Sequence, residues 1–204
     1  MTEVPKLTGK NLAIAERMLK DVTTILEKKN ILYCLDGGTL LGIVREKRLL
    51  PWDKDLDMFV TEDEYKKVAS LTWKFRLSGY WVSVRKHKQD KPPFKKGDPR
   101  IIKIRNREYY SYAGPVRLDI FIKYRIGDDY YWSEGGRGKN ANKSVPAHFF
   151  RKLILTEFDG KEYWIPEAYD EYLTYRYRDW RTPVREWDHL EDDHAIVKDS
   201  IIRP

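Results

Sequence analysis

The chain has a single cysteine among its 204 residues, Cys34. One thiol excludes an intramolecular disulfide and any zinc site built on two or more thiolates, and it points to a reducing, intracellular setting. No run approaches the roughly 20 apolar residues needed to cross a bilayer. The opening residues 1–6 lack the apolar core of a signal peptide, so the expected location is cytoplasmic. Internal repeats and low-complexity tracts are missing as well.

What remains is ordinary globular material. Hydrophobic residues at 41% suffice for a packed core, and the length fits one domain, taken as 1–204 with a weakly patterned stretch from about residue 185. The balance of 39 Lys and Arg against 32 Asp and Glu leaves a net charge of +7. Such a surface attracts phosphates, nucleic acid, acidic glycans or lipid headgroups, which speaks to partners rather than to chemistry.

Leu12, Ala15, Met18, Leu19, Val22, Ile25 and Leu26 at helical spacing predict an amphipathic helix over 11–29, stopping at Asn30. Residues 31–36 read as a short buried strand broken by a turn at Gly37 and Gly38. In 54–60 acids alternate with apolar residues, so Asp55 and Asp57 share one strand face and Leu56 and Met58 the other. Thr61 and Glu64 form a capping box for the next helix, whose apolar stripe is Tyr65, Val68, Ala69 and Leu71. Strands are expected at 80–84, 100–105 and 116–122, with a mobile basic loop containing Pro92, Pro93, Lys95 and Lys96. Residues 134–144 read as a polar break, 153–165 as a hairpin turned at Asp159-Gly160, and Pro166 as the first position of a helix. The sum is an α+β fold with a small mixed β-sheet flanked by helices.

The densest chemistry lies in Leu35-Asp36-Gly37-Gly38-Thr39-Leu40-Leu41-Gly42, then Arg45, then Pro51-Trp52-Asp53-Lys54-Asp55-Leu56-Asp57-Met58. Phosphoryl transfer needs divalent cations to neutralise phosphate oxygens, and hard ions such as Mg²⁺ take carboxylate ligands. Two Asp at i and i+2 of a strand stand roughly 6 to 7 Å apart on one side. Asp119, an acid in an otherwise apolar strand, would supply a third carboxylate, because an unpaired buried carboxylate is costly and asks for a cation. A Gly-Gly turn offers backbone N–H groups to a phosphate. An EF-hand loop competes, with Asp53, Asp55, Asp57 and Glu64 at its acidic positions, but Met58 stands where its sharp turn requires glycine.

These residues closely resemble the defining motif of the LicD family, which includes the fukutin-type phosphotransferases. The resemblance runs from about residue 30 to about 185, since Ile165-Pro166-Glu167, Tyr172-Leu173 and Asp179-Trp180-Arg181-Thr182-Pro183 are similar to the family's C-terminal stretch. It implies a nucleotidyltransferase (polymerase-beta-like) fold with a Gly-Gly turn, an Asp-x-Asp strand and a third carboxylate on a later strand. It also implies metal-dependent transfer of a phospho-alcohol, phosphocholine or a phospho-polyol, from a CDP-alcohol donor to a glycan or glycolipid hydroxyl, releasing CMP. The implied cofactor is Mg²⁺ or Mn²⁺, as two ions on Asp55, Asp57 and Asp119, with Asp119 as third ligand or general base. Gly37, Gly38 and Thr39 would cradle phosphate, Arg45 would clamp it, and Asp53 would orient the motif. Arg105, on a basic strand edge with Arg100 and Lys103, would meet donor phosphate. A membrane-borne acceptor would be visited at the inner surface from solution. Two departures stand out. Tyr177-Arg178-Asp179 replaces the usual Tyr-Gly-Asp, which is expected to change the local turn, and Lys54 sits where an acid is common.

If the donor carries choline, Tyr109, Tyr110, Tyr112, Tyr130, Tyr131 and Trp132 are candidates for an aromatic cage. Asp188, His189, Asp192, Asp193 and His194 look like a metal tract but read better as a charged surface turn. Two other functions compete. One is an enzyme of the same fold that places a nucleoside monophosphate from an NTP on a small molecule, protein or RNA. The other is a non-catalytic basic module binding glycan or nucleic acid through the cations and aromatics between Arg85 and Arg107. Nucleic acid is not a partner expected of the main reading.

Overall fold

The computed structural model describes residues 6–108, 112–135, 140–184 and 187–198. Helix α1 (Lys10–Glu27) buries Ala15, Met18, Leu19, Val22 and Leu26, the face read from the sequence. Asn30 then adopts φ 52°, and the next N–H, that of Ile31, closes on the Leu26 carbonyl at 3.1 Å, which ends the helix.

The segment around the glycine pair differs from the expected turn. Strand β1 is only Cys34–Leu35, and Gly37-Gly38 opens a helix, α2 (Gly37–Glu46). Glycines at 37, 38 and 42 lower the local helix propensity and hide this element from sequence patterning. Burial of Thr39, Leu40, Leu41 and Ile43 overrides that bias, and Asp36 caps the start by accepting the Gly37 N–H at 2.9 Å.

Strand β2 (Leu56–Thr61) begins two residues later than the 54–60 pattern suggested, so Asp55 lies in the bend before it. A strand here, leading into helix α3 (Glu62–Ser70), excludes the EF-hand loop. Thr61 occupies the N-cap of α3 without a side-chain bond, and Glu64 pairs with Lys67 at 2.8 Å, so the capping box does not form. Leu71 joins α3 to a short helix α4 (Thr72–Leu77) instead of extending the α3 stripe.

Five further strands complete the sheet: β3 (Tyr80–Lys86), β4 (Pro99–Glu108), β5 (Tyr112–Ile126), β6 (Asp129–Gly135) and β7 (Asn140–Pro146). The order is β1-β2-β5-β4-β3, with β6 on the end of β5 and β7 on β6. Among the described strands of this sheet only β2 and β5 run parallel. The expected break over 134–144 is narrower than read: 134–135 end β6 and 140–144 belong to β7, while 136–139 lie outside the described residues. Strand β7 buries Asn142 and Lys143, so it has no hydrophobic alternation to reveal it. The basic loop after β3 is pinned by backbone bonds from His87 to Asp98 and from Gly97 to His87, both 2.9 Å, with buried Phe94 stacked on the His87 ring.

The hairpin β8 (Leu153–Phe158) and β9 (Lys161–Pro166) turns at Asp159-Gly160, where φ is 50° and 68°, as the residue pair demands. Pro166 ends β9 and does not begin a helix; α5 (Tyr169–Tyr177) starts three residues later. After α5, Arg178 holds φ 58° and ψ −111°, a backbone conformation that a residue with a Cβ rarely adopts. Among the described residues no helix is long and apolar enough to cross a membrane.

Register places the site. Asp57, Asp119, Lys103 and Ser83 form one row across β2, β5, β4 and β3. The neighbouring row, Met58, Ile120 and Ile102, is fully buried on the other face, where it joins the core with α1, α3 and α4.

Candidate active site

A cleft of about 450 Å³ lies where α2 begins, over the row that starts at Asp57. It gathers Gly37, Gly38, Arg45, Asp53, Asp55, Asp57 and Asp119 from the sequence expectations. The glycines are required by the aspartates. A Cβ on Gly37, whose φ is 54°, would stand 2.4 Å from Asp57 Oδ2, and one on Gly38 would stand 1.8 Å from Asp53 Oδ2. The helix start and the acidic segment are thus in direct contact.

The carboxylates crowd one another. Burial, then Asp55, pushes Asp53 up to about 7. Burial, followed by Asp55, Asp53 and Glu134, raises Asp57 well above the ordinary carboxylate range. Asp119 is raised by burial, although Lys103 and Arg117 pull against it. The expectation that Asp119 lacks a counter-ion needs correction: Lys103 Nζ sits 2.5 Å from its Oδ2, with Arg117 Nε at 3.4 Å. Arg117 also holds Asp55 in a short ion pair. Lysine and arginine therefore occupy part of the role assigned to a metal, and among the described residues no three acidic, His or Cys groups close into a ready ligand cage. The donor set still suits a hard cation, because Asp119 Oδ1 is buried without a hydrogen-bond partner and the crowded acids need added positive charge to ionise together.

Other expected residues are placed differently. Thr39 is buried, and its Oγ1 accepts the Asp57 N–H at 2.9 Å, so it ties α2 to β2. Arg45 reaches the cleft, but its guanidinium is engaged with Glu46 at 2.6 Å and with the Trp180 carbonyl at 2.9 Å. Arg105 lies outside this cleft, donating to the Gly114 carbonyl at 2.8 Å. Of the cage candidates, Tyr109 and Tyr110 lie outside the described residues and Tyr112 is exposed. Trp132 is buried and joins Phe59, Phe150 and Tyr172 around Lys123, whose ammonium is 4.0 to 5.3 Å from those rings. An aromatic cage exists, but the chain's own lysine fills it.

Sequence reasoning missed the wall behind the site. Lys123 Nζ pairs with Asp36 at 2.8 Å, Tyr172 donates to Asp36, and Arg176 bridges Asp36 at 3.1 Å to Asp193. Lys143 contacts Asp193 at 2.7 Å and Glu134 at 2.6 Å. Burial would raise Asp36, but Lys123 and Arg176 outweigh it and hold the group near 2. Three acids and three bases balance in a network that fixes the α2 cap. Asp193 thus departs from the surface-turn reading, while Asp188, His189, Asp192 and His194 stay exposed. The period-2 spacing of Arg117 and Asp119 could have indicated Arg117; nothing local marks Asp193 or Glu134.

Carboxylates on adjacent parallel strands, with a glycine-opened helix packed on them, lie on a small mixed sheet flanked by helices, an α+β fold of the nucleotidyltransferase class. The sequence matches the model described as LicD/FKTN/FKRP, nucleotidyltransferase domain, over residues 30–168, and the chain belongs to that family. It is 28% identical over 179 residues to human "Ribitol-5-phosphate transferase FKTN", covering 85% of this chain and 34% of that protein. It is 44% identical over 47 residues to "Lipopolysaccharide cholinephosphotransferase LicD" of Haemophilus influenzae, 23% of this chain and 18% of that one. The chain spans about a third of the length of the FKTN relatives. A solved structure, ANT(2")-Ia in complex with adenylyl-2"-tobramycin, shares 11% identity at a TM-score of 0.45, covering 84% of this chain and 80% of that one.

Proposed function

We propose that the chain transfers a phospho-alcohol from a CDP-linked donor to a glycan hydroxyl, with Mg²⁺ or Mn²⁺ held by Asp55, Asp57 and Asp119. The observation that carries this reading is Asp57 opposite Asp119 in one cleft with Asp55 and the start of α2. The names of the relatives, a ribitol-5-phosphate transferase and a cholinephosphotransferase, support the phospho-alcohol class.

Bound divalent ions would supply charge neutralisation for the diphosphate and the leaving CMP. The chain's own groups do the rest. Arg117 and Lys103, paired with Asp55 and Asp119, line the same cleft and can meet donor phosphate oxygens there. The α2 start orients the donor phosphates by its N–H groups and dipole. The acceptor oxygen bonds to the phosphorus nearer the alcohol as the bond to the CMP oxygen breaks in line. The hydroxyl proton passes to a carboxylate of the cleft; Asp119 serves either as this base or as the third ion ligand, since Oδ1 is its one unpartnered oxygen.

A donor screen tests the reading. CDP-choline, CDP-ribitol, CDP-glycerol and CDP-ethanolamine are each supplied with Mg²⁺ or Mn²⁺ and a glycan mixture, and CMP is measured. CMP from one donor is expected; pyrophosphate from an NTP, with no CMP from any donor, would replace this function by nucleotidyl transfer.

A further inference from the structure

Helix α4 turns Phe75 fully inward and leaves Trp73 54% and Leu77 78% exposed. The two stand at i and i+4 of the helix, so they share one outward stripe. Single exposed apolar residues are ordinary, but a large pair on one face is a contact surface. Cations frame it. The sequence holds no Asp or Glu between Glu64 and Asp90, whereas Lys66, Lys67, Lys74 and Arg76 fall on α3 and α4. Lys67 is answered by Glu64 at 2.8 Å; among the described residues Lys66, Lys74 and Arg76 have no acidic partner. Asp21 of α1, which reaches this side through the Tyr80 hydroxyl at 2.6 Å, is already paired with Arg17 at 3.6 Å.

The chemistry of this face selects its partner. A Trp ring and a Leu side chain flanked by Lys and Arg match the boundary of an anionic bilayer, where ring and aliphatic carbons enter the headgroup layer and cations meet lipid phosphates. Lys74 Nζ lies 5.4 Å from the Trp73 ring, so cation and ring reach the same depth. A second copy of this chain fits poorly, because a two-fold pairing of this face sets like charges opposite one another. Single-stranded nucleic acid needs a row of open ring faces, and Trp73 is the one exposed ring of α3 and α4.

We infer that the face formed by α3 and α4 docks on an anionic phospholipid surface, with Trp73 and Leu77 in the interface and Lys66, Lys74 and Arg76 among the headgroups. The acidic row lies on the opposite face of the sheet from α4, so docking leaves the active-site cleft uncovered. On the function proposed above, the donor then enters from solution, and a lipid-borne glycan reaches the site round the β3 edge, where the sheet ends. The docking itself does not depend on that function.

Co-sedimentation of the full chain with vesicles of phosphatidylcholine and phosphatidylglycerol in equal parts tests this without turnover, so failure of the transferase reading leaves the result interpretable. Binding is expected to these vesicles, to weaken with salt, and to be absent with phosphatidylcholine alone. Trp73→Ser with Leu77→Ser should lower the partition coefficient on the order of 10- to 100-fold. Lys66→Glu with Lys74→Glu should lower it about 10-fold or more, whereas Arg151→Glu with Lys152→Glu, exposed before β8, should change it by less than about threefold. Phosphatidylcholine brominated high on its acyl chains should quench part of the tryptophan emission of the parent, and Trp73→Phe should abolish that quenching. Four outcomes would overturn the proposal: equal binding to neutral vesicles, an unaltered partition coefficient in the Trp73 and Leu77 variant, quenching that survives Trp73→Phe, or displacement from the vesicles by an equal charge of oligoglutamate or single-stranded oligonucleotide.

Discussion

Asp57 on β2 stands directly opposite Asp119 on β5, the two strands running parallel, and the side chain of Asp57 also fills the space that a Cβ on Gly37 would need. Two carboxylates meet across one strand spacing, behind a helix start whose positive φ at Gly37 and close approach to the acids favour glycine. Everything proposed for the site follows from that contact.

Asp57→Asn removes a buried acid that burial and four neighbouring acids oppose. The metal-free variant should be at least as stable as the parent at pH 7.5. Mg²⁺ or Mn²⁺ should raise the melting temperature of the parent and leave the variant unmoved. Thermal scans with and without the ion check this; an equal shift in both would remove Asp57 from the ligand set.

Gly38→Ala would drive a methyl group into Asp53 Oδ2. The expected cost is about 1 to 3 kcal/mol in urea unfolding. Adding Asp53→Ala should restore most of that stability, because it removes the clashing atoms, and a double-mutant cycle measures the coupling. Additive losses would show that the two side chains do not compete for this space.

Asp193→Ala would strip Arg176 and Lys143 of a shared, fully buried partner. Breaking one partner of such a network costs about 3 to 5 kcal/mol. Denaturant titration should report that loss, although Asp193 lies far along the sequence from the motif it supports. A surface-turn residue would cost under 0.5 kcal/mol.

His87 should titrate near pH 4 in the folded chain, lowered from 6.5 by burial first and then by Arg100 and Lys91, with Asp98 opposing. The sign follows from the free histidine binding the proton more tightly in the unfolded chain. This contribution to stability is complete above about pH 6.5, declines as pH falls toward 4, and is constant below. NMR titration of the imidazole reads the value directly.

Legibility in the sequence followed apolar patterning. Helix α1 and the Asp159-Gly160 hairpin were plain because residues such as Met18 and Leu19, or a turn pair with φ above zero, act locally. The acidic motif was plain because its residues lie close in sequence. Helix α2 was hidden by three glycines whose helical state depends on burial and on the Asp36 cap. Strand β7 was hidden because Lys143 is buried through ion pairs with Asp193 and Glu134. These partners meet only in the folded chain, so no local pattern encodes them.

The most direct test of the central claim is CMP release from the active CDP-alcohol by the parent and by Asp55→Asn with Asp57→Asn, at saturating Mn²⁺ and matched folded fraction. The variant should lose turnover by about a thousandfold or more, since several kcal/mol of charge stabilisation at the phosphate is removed. Turnover within a few fold of the parent would contradict a metal-dependent phosphotransfer centred on these aspartates.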